Sequence, residues 1–124
     1  TFSLETISLE DVLEGSDFVT LHIPKTGEKA VIGAEEIGLM KTGAGIINTS
    51  RGGVIDEDAL MFSLDKGKLS YAALDVFENE PTPSMHLLMN HSISFTPHIG
   101  AATQEAQDRI GTELAEKIIA YFKK

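Results

Sequence analysis

Gly43-Ala44-Gly45-Ile46-Ile47-Asn48-Thr49-Ser50-Arg51-Gly52-Gly53-Val54-Ile55-Asp56 is the stretch whose reading decides the fold. Its first seven residues make a near-continuous apolar run, as expected of a parallel strand buried on both faces. Ser50-Arg51-Gly52-Gly53 ends that strand. Asp56 then caps a helix from about Glu57 to Asp65, and Gly67 supplies the stop. A buried strand running straight into a capped helix is the repeating unit of a parallel α/β sheet.

The flanks repeat the unit. Upstream, Ser8-Leu9-Glu10-Asp11 reads as a capping box opening a short helix closed by Gly15. Asp17 to Ile23, rich in β-branched and aromatic residues and stopped by Pro24, reads as a strand. A helix from Gly33 to Lys41 follows, with Ile37 and Met40 on one side. Downstream, Leu69 to Val76 is a third strand, and Ser92 to Thr96, halted by Pro97, a fourth with a loop between them. From about Thr103 to Phe122, Ala106, Ile110, Leu114, Ile118 and Phe122 recur four apart, the stripe of a long amphipathic helix. Strands alternating with helices predict a parallel sheet with right-handed crossovers, whose ligands bind beyond the carboxyl ends of the strands. Polar residues gather at that rim: His22, then Asn48-Thr49-Ser50-Arg51, then Asp75, then His98.

Composition narrows the function. The 124 residues carry 10 basic and 19 acidic side chains, a formal net charge of -9. That balance argues against a nucleic-acid or anionic membrane surface, and an anionic ligand must be met locally by a specific Arg or Lys. There is no cysteine, hence no disulfide framework and no thiolate metal site, and no metal is expected. No apolar run approaches the ~20 residues of a membrane span. Thr1-Phe2-Ser3-Leu4-Glu5 lacks the features of a signal peptide, so cytoplasm is the expected compartment.

Taken singly, each rim residue has an ordinary reading: a solvated Arg, a His bonded to a local carbonyl, a surface Glu at position 80, a turn Asp. Together they supply an anion clamp (Arg51), a proton carrier (His98), its orienting acid (Glu80) and an amide acceptor (Asp75). Those are the parts that hydride transfer to a 2-keto acid requires.

Four ordered blocks carry a family resemblance: Ser16 to Pro24, Met40 to Asp56, Ala72-Ala73-Leu74-Asp75-Val76-Phe77-Glu78-Asn79-Glu80-Pro81, and Thr96-Pro97-His98-Ile99-Gly100-Ala101-Ala102-Thr103. In these the chain resembles the D-isomer-specific 2-hydroxyacid dehydrogenases, and within them looks most like the 3-phosphoglycerate dehydrogenases. The resemblance implies an α/β Rossmann-type parallel sheet with flanking helices, present here as the second half of an NAD-binding domain. Residues 1–102 would be its nicotinamide-side half and 103–124 a long helix leading out. It implies NAD as cofactor and a small 2-hydroxy or 2-keto acid as substrate. Arg51 would hold the substrate carboxylate, His98 would pass the proton to or from the C2 oxygen, and Glu80 would orient His98. Asp75 would bond the nicotinamide carboxamide. His22 and Pro24, with Thr49, Ser50, Arg51, His98 and Gly100, would line the nicotinamide-ribose pocket. A homodimer is implied for the full-length enzyme. The G-x-G-x-x-G fingerprint and the ribose-reading acid that follows it are absent from this chain, so the choice between NAD and NADP is not written in it. The chain is therefore expected to be part of a larger enzyme. A relative of another class, an NAD-sensing corepressor-like module, shares the same motifs and is the competing expectation.

Overall fold

The apolar run at residues 43–49 forms the second strand of a four-stranded parallel sheet whose order follows the chain. The computed structural model describes residues 6–123; the N-terminal stretch read above for a leader lies outside them. The strands are β1 (Phe18–Leu21), β2 (Ala44–Asn48), β3 (Leu69–Leu74) and β4 (Ile93–Phe95). The helices are α1 (Leu9–Gly15), α2 (Ala34–Leu39), α3 (Glu57–Asp65), α4 (Met85–Leu88) and α5 (Gln104–Phe122). The parallel α/β architecture is as read. Asp56 caps α3 by accepting the Ala59 N–H, and Gly67 takes a positive φ of 69° just beyond its end. The fourth helix is a finding: the segment between β3 and β4, expected as loop, contains the single turn α4. In α1, Gly15 belongs to the helix, which stops at the extended Ser16.

In β1 the side chains alternate as a half-buried strand requires, while β2 is covered along its length. Val19, Leu21, Ile46, Ala72, Leu74 and Ile93 face the core, where Leu13, Ile32, Ile37, Met40, Leu60 and Leu87 cover them. On β2 itself Ala44, Gly45, Ile46 and Asn48 are buried and Ile47 half-buried. Gly45 is sealed from the other side by Phe18, its partner in the register: a Cβ there would sit 2.7 Å from the Phe18 ring. The apolar stripe of α5 is present, but no residue of that helix is buried, and Ile110, Leu114, Ile118 and Phe122 are all at least half-exposed. Among the described residues nothing covers the outer part of its apolar face, from Ile110 to Phe122. No helix of the described residues is long and apolar enough to cross a membrane.

Candidate active site

The loop after β2 is shaped by a buried amide. Asn48 ends the strand and is 2% exposed. Its Oδ1 accepts the Ser50 N–H at 3.0 Å and the Ser50 hydroxyl at 2.7 Å, while its Nδ2 donates to the Arg51 carbonyl at 3.0 Å. These three bonds fold the chain so that Arg51 leaves the rim of the sheet, its Nη1 donating to the Ser50 carbonyl at 2.6 Å. Gly52 comes next because nothing larger fits: a Cβ there would lie 1.7 Å from the Phe77 carbonyl oxygen. That contact brings the Arg51 loop against the segment after β3, which carries Glu80.

His98 stands beyond β4 in a left-handed backbone conformation, φ 52°, uncommon for a residue with a side chain. Two acids hold it there. The Asp75 Oδ1 at the end of β3 accepts the His98 N–H at 3.1 Å and also the Thr96 hydroxyl. The Glu80 Oε2 lies 2.9 Å from His98 Nδ1, and the Glu80 Oε1 accepts the Phe77 N–H at 3.1 Å. The bond to His98 first, and the Phe77 N–H second, hold the Glu80 carboxyl below the usual glutamate range. A carboxylate on Nδ1 fixes that nitrogen as the donor and leaves Nε2 for a ligand.

A second pair of glutamates locks the Glu80 segment to α3. The Glu57 N–H donates to Glu78 Oε1 at 3.1 Å, and the Glu78 N–H donates to Glu57 Oε1 at 2.7 Å. Burial, partly offset by that bond and reinforced by the Glu78 charge, pushes the Glu57 carboxyl up.

Two adjoining cavities sort the residues singled out in the sequence. One, of about 410 Å³, is lined by Pro24, Arg51, Gly52, Phe77, Glu80 and His98 among others. The other, of about 280 Å³, is lined by His22, Ile23, Pro24, Thr49, Ser50 and Arg51, so Pro24 and Arg51 border both. In the smaller cavity the His22 ring bonds the Thr20 hydroxyl through Nε2 at 2.9 Å and lies 3.5 Å from the Thr49 hydroxyl through Nδ1. Hydroxyls and an imidazole against a proline wall suit a ligand bearing a ribose and an amide. In the larger, a guanidinium faces an imidazole–carboxylate pair, which suits a small acid with an exchangeable proton. Asp75 and Gly100 line neither cavity; Asp75 sits beneath the His98 turn, and Gly100 is exposed two residues beyond it. Among the described residues no cluster of His, Asp and Glu is placed to hold a metal. Asn48 was read from the sequence only as one of the rim's polar residues and was given no role, although one amide closing an apolar run is a readable signal. Lys25, which also lines the larger cavity, gave none, since a loop lysine is ordinarily solvated.

Comparison with known proteins finds relatives of one family. The family model described as "D-isomer specific 2-hydroxyacid dehydrogenase, NAD binding domain" matches residues 1–100. A D-3-phosphoglycerate dehydrogenase from Methanocaldococcus jannaschii is 48% identical over 89% of this chain and 21% of its own length. A hydroxypyruvate reductase from Thermotoga maritima is 46% identical over 93% of this chain and 39% of its own. Among solved structures, a D-lactate dehydrogenase from Aquifex aeolicus complexed with NAD and lactic acid superposes with a TM-score of 0.77 at 35% identity, covering 94% of this chain and 40% of that one. The chain thus spans well under half the length of these relatives.

Proposed function

The chain belongs to the D-isomer specific 2-hydroxyacid dehydrogenase family, and from that premise we propose that the protein carrying it moves a hydride between NAD(H) and a D-2-hydroxy acid or its 2-keto counterpart. Identity to phosphoglycerate dehydrogenases makes 3-phosphohydroxypyruvate the first substrate to try. The observation that carries the reading is the convergence of Arg51, Glu80 and His98 on one cleft that adjoins the His22–Pro24–Thr49–Ser50 cavity.

The residues divide the work as follows. Arg51 grips the substrate carboxylate with a planar, permanently charged fork. The smaller cavity receives the nicotinamide-ribose end of the cofactor. When bound, NADH supplies the hydride that reaches C2. Protonated His98 gives its Nε2 proton to the C2 oxygen, so that C=O becomes CH–OH and the imidazole is left neutral. Glu80 holds Nδ1 throughout, which leaves Nε2 as the nitrogen that faces the substrate oxygen. Arg51 beside the carboxylate and oxygen stabilises the negative charge that grows as hydride arrives. The reading carries a homodimer and a cytoplasmic location with it; the unpacked apolar face of α5 supports a further packing partner.

The test is NADH consumption by the full-length protein against 3-phosphohydroxypyruvate, hydroxypyruvate, glyoxylate, pyruvate and 2-oxoglutarate. Turnover with one or more is expected. Firm NADH binding without turnover of any would instead favour the corepressor-like sensor.

A further inference from the structure

The cleft that holds Arg51, Glu80 and His98 is lined by two more charged side chains, Lys25 and Glu78. Both of its acids already have donors. Glu80 takes the His98 ring and the Phe77 N–H, and Glu78 takes the Glu57 N–H. Neither cation has an acidic partner: among the described residues the ion pairs are Lys41–Asp17, His98–Glu80 and Lys117–Glu113. Lys25 and Arg51 thus stand in this cleft with no ion-pair partner among the described residues, in a chain whose formal net charge is -9.

Lys25 is there because of the same loop that places Arg51. Its ammonium lies over Gly53, where a Cβ would come within 2.4 Å of Nζ. Gly53 has a φ of +73°, which glycine adopts without strain. The turn that fixes the guanidinium thus also leaves the space the ammonium occupies.

Resting on the dehydrogenase reading, we infer that Lys25 is a specificity-determining residue: it receives a second anionic group, phosphate or carboxylate, at the end of the 2-keto acid remote from the carboxylate that Arg51 holds. A cleft of about 410 Å³ accommodates a small acid with charges at both ends. An ammonium with three freely rotating donors suits a phosphate or a carboxylate approaching without a fixed plane.

The experiment compares the full-length protein with its Lys25→Met and Lys25→Arg variants on pyruvate, oxaloacetate and 3-phosphohydroxypyruvate. The readout is selectivity: kcat/KM for each doubly charged acid divided by that for pyruvate. Lys25→Met is expected to lower this ratio roughly tenfold, the scale of one charge-assisted hydrogen bond. Lys25→Arg should restore most of it. Whichever of oxaloacetate and 3-phosphohydroxypyruvate loses more tells carboxylate from phosphate. An unchanged ratio overturns the assignment. Calorimetric binding of 3-phosphoglycerate and D-lactate gives a reading without turnover. If no keto acid is reduced but Lys25→Met still weakens 3-phosphoglycerate selectively, the dehydrogenase reading fails and the Lys25 site stands. Equal affinity in wild type and variant sinks the site, whatever the turnover.

Discussion

Replacing Asn48 by Ala tests whether one buried amide builds the Arg51 loop. The side chain is 2% exposed and makes three hydrogen bonds, two from Ser50 and one to the Arg51 carbonyl. Ala leaves all three partner groups without their acceptor or donor in a site where Ser50 is itself buried at 8%. At about 1 kcal/mol for each bond, with the stranded groups adding to it, Asn48→Ala should cost about 3 kcal/mol. Ser50→Ala, which removes only the hydroxyl bond, should cost about 1 kcal/mol. The double variant should fall short of the sum by about that same 1 kcal/mol, because both single changes break one shared bond. Urea titration of the four proteins, followed by circular dichroism, gives the cycle. Kinetics supply the functional half. With its carbonyl released, Arg51 should bind the substrate carboxylate less well, and KM for the keto acid should rise more than kcat falls. A loss below about 0.5 kcal/mol for Asn48→Ala, or strict additivity with Ser50→Ala, would refute the reasoning.

Three further changes probe the rest of the rim. Glu80→Gln should cut kcat about 10²-fold, the low end of what positioned proton transfer contributes. The Glu80 carboxyl lies below its ordinary range because of His98. Its stabilising contribution is therefore present above the unfolded-state value and lost as pH falls through the lowered folded value. The unfolding midpoint of Glu80→Gln should lose part of its acid dependence in that window, and parallel profiles would count against the pair. Gly52→Ala puts a Cβ 1.7 Å from the Phe77 carbonyl oxygen. The two loops must part, at a cost of about 2 kcal/mol or more and with a large fall in kcat/KM; an active, equally stable variant would show that the contact is dispensable. Asp75→Ala removes the acceptor that holds the His98 N–H. A left-handed residue costs about 1–2 kcal/mol when unsupported, so kcat should drop roughly tenfold with little change in KM for NADH. A rise in KM for NADH at constant kcat would instead put Asp75 on the carboxamide.

What was legible in the sequence depended on whether a feature carries its own signal. The strands and α3 do, because burial imposes a period and caps impose residue types: Asp56 and Gly67 bracket α3 in sequence and in structure. The single turn α4 does not, since four residues are too few to show a period. The proposed catalytic grouping was legible as parts gathered on one rim and as a resemblance, but not as a geometry. His98 and Glu80 stand 18 residues apart, and no spacing rule brings a side chain after β4 onto a loop after β3. The role of Asn48 and the presence of Lys25 were missed for opposite reasons. A buried amide at a strand end looks like one more rim polar residue until its three bonds are seen, and an exposed lysine becomes notable only once it shares a cleft with Arg51 and has no ion-pair partner among the described residues.

The sheet order sets the problem that these residues solve. Arg51 follows β2 and His98 follows β4, with β3 between them. Two strand spacings of about 4.8 Å put their backbones roughly 10 Å apart at the rim. On the proposed reading they meet the carboxylate and C2 oxygen of one 2-keto acid, neighbours on adjacent carbons, so the two side chains must be drawn together over the end of β3. Each feature of the intervening loop does part of that. The missing side chain at Gly52 lets the Arg51 loop rest on Phe77. Asp75, on β3 itself, turns His98 through its left-handed φ. Glu80, from the β3 loop, then fixes the imidazole from the side away from Nε2. The strand lying between the two groups is thus the one that supplies the means of joining them. It follows that residues after β3, rather than those after β2 or β4, are where small changes should alter the relative placement of Arg51 and His98.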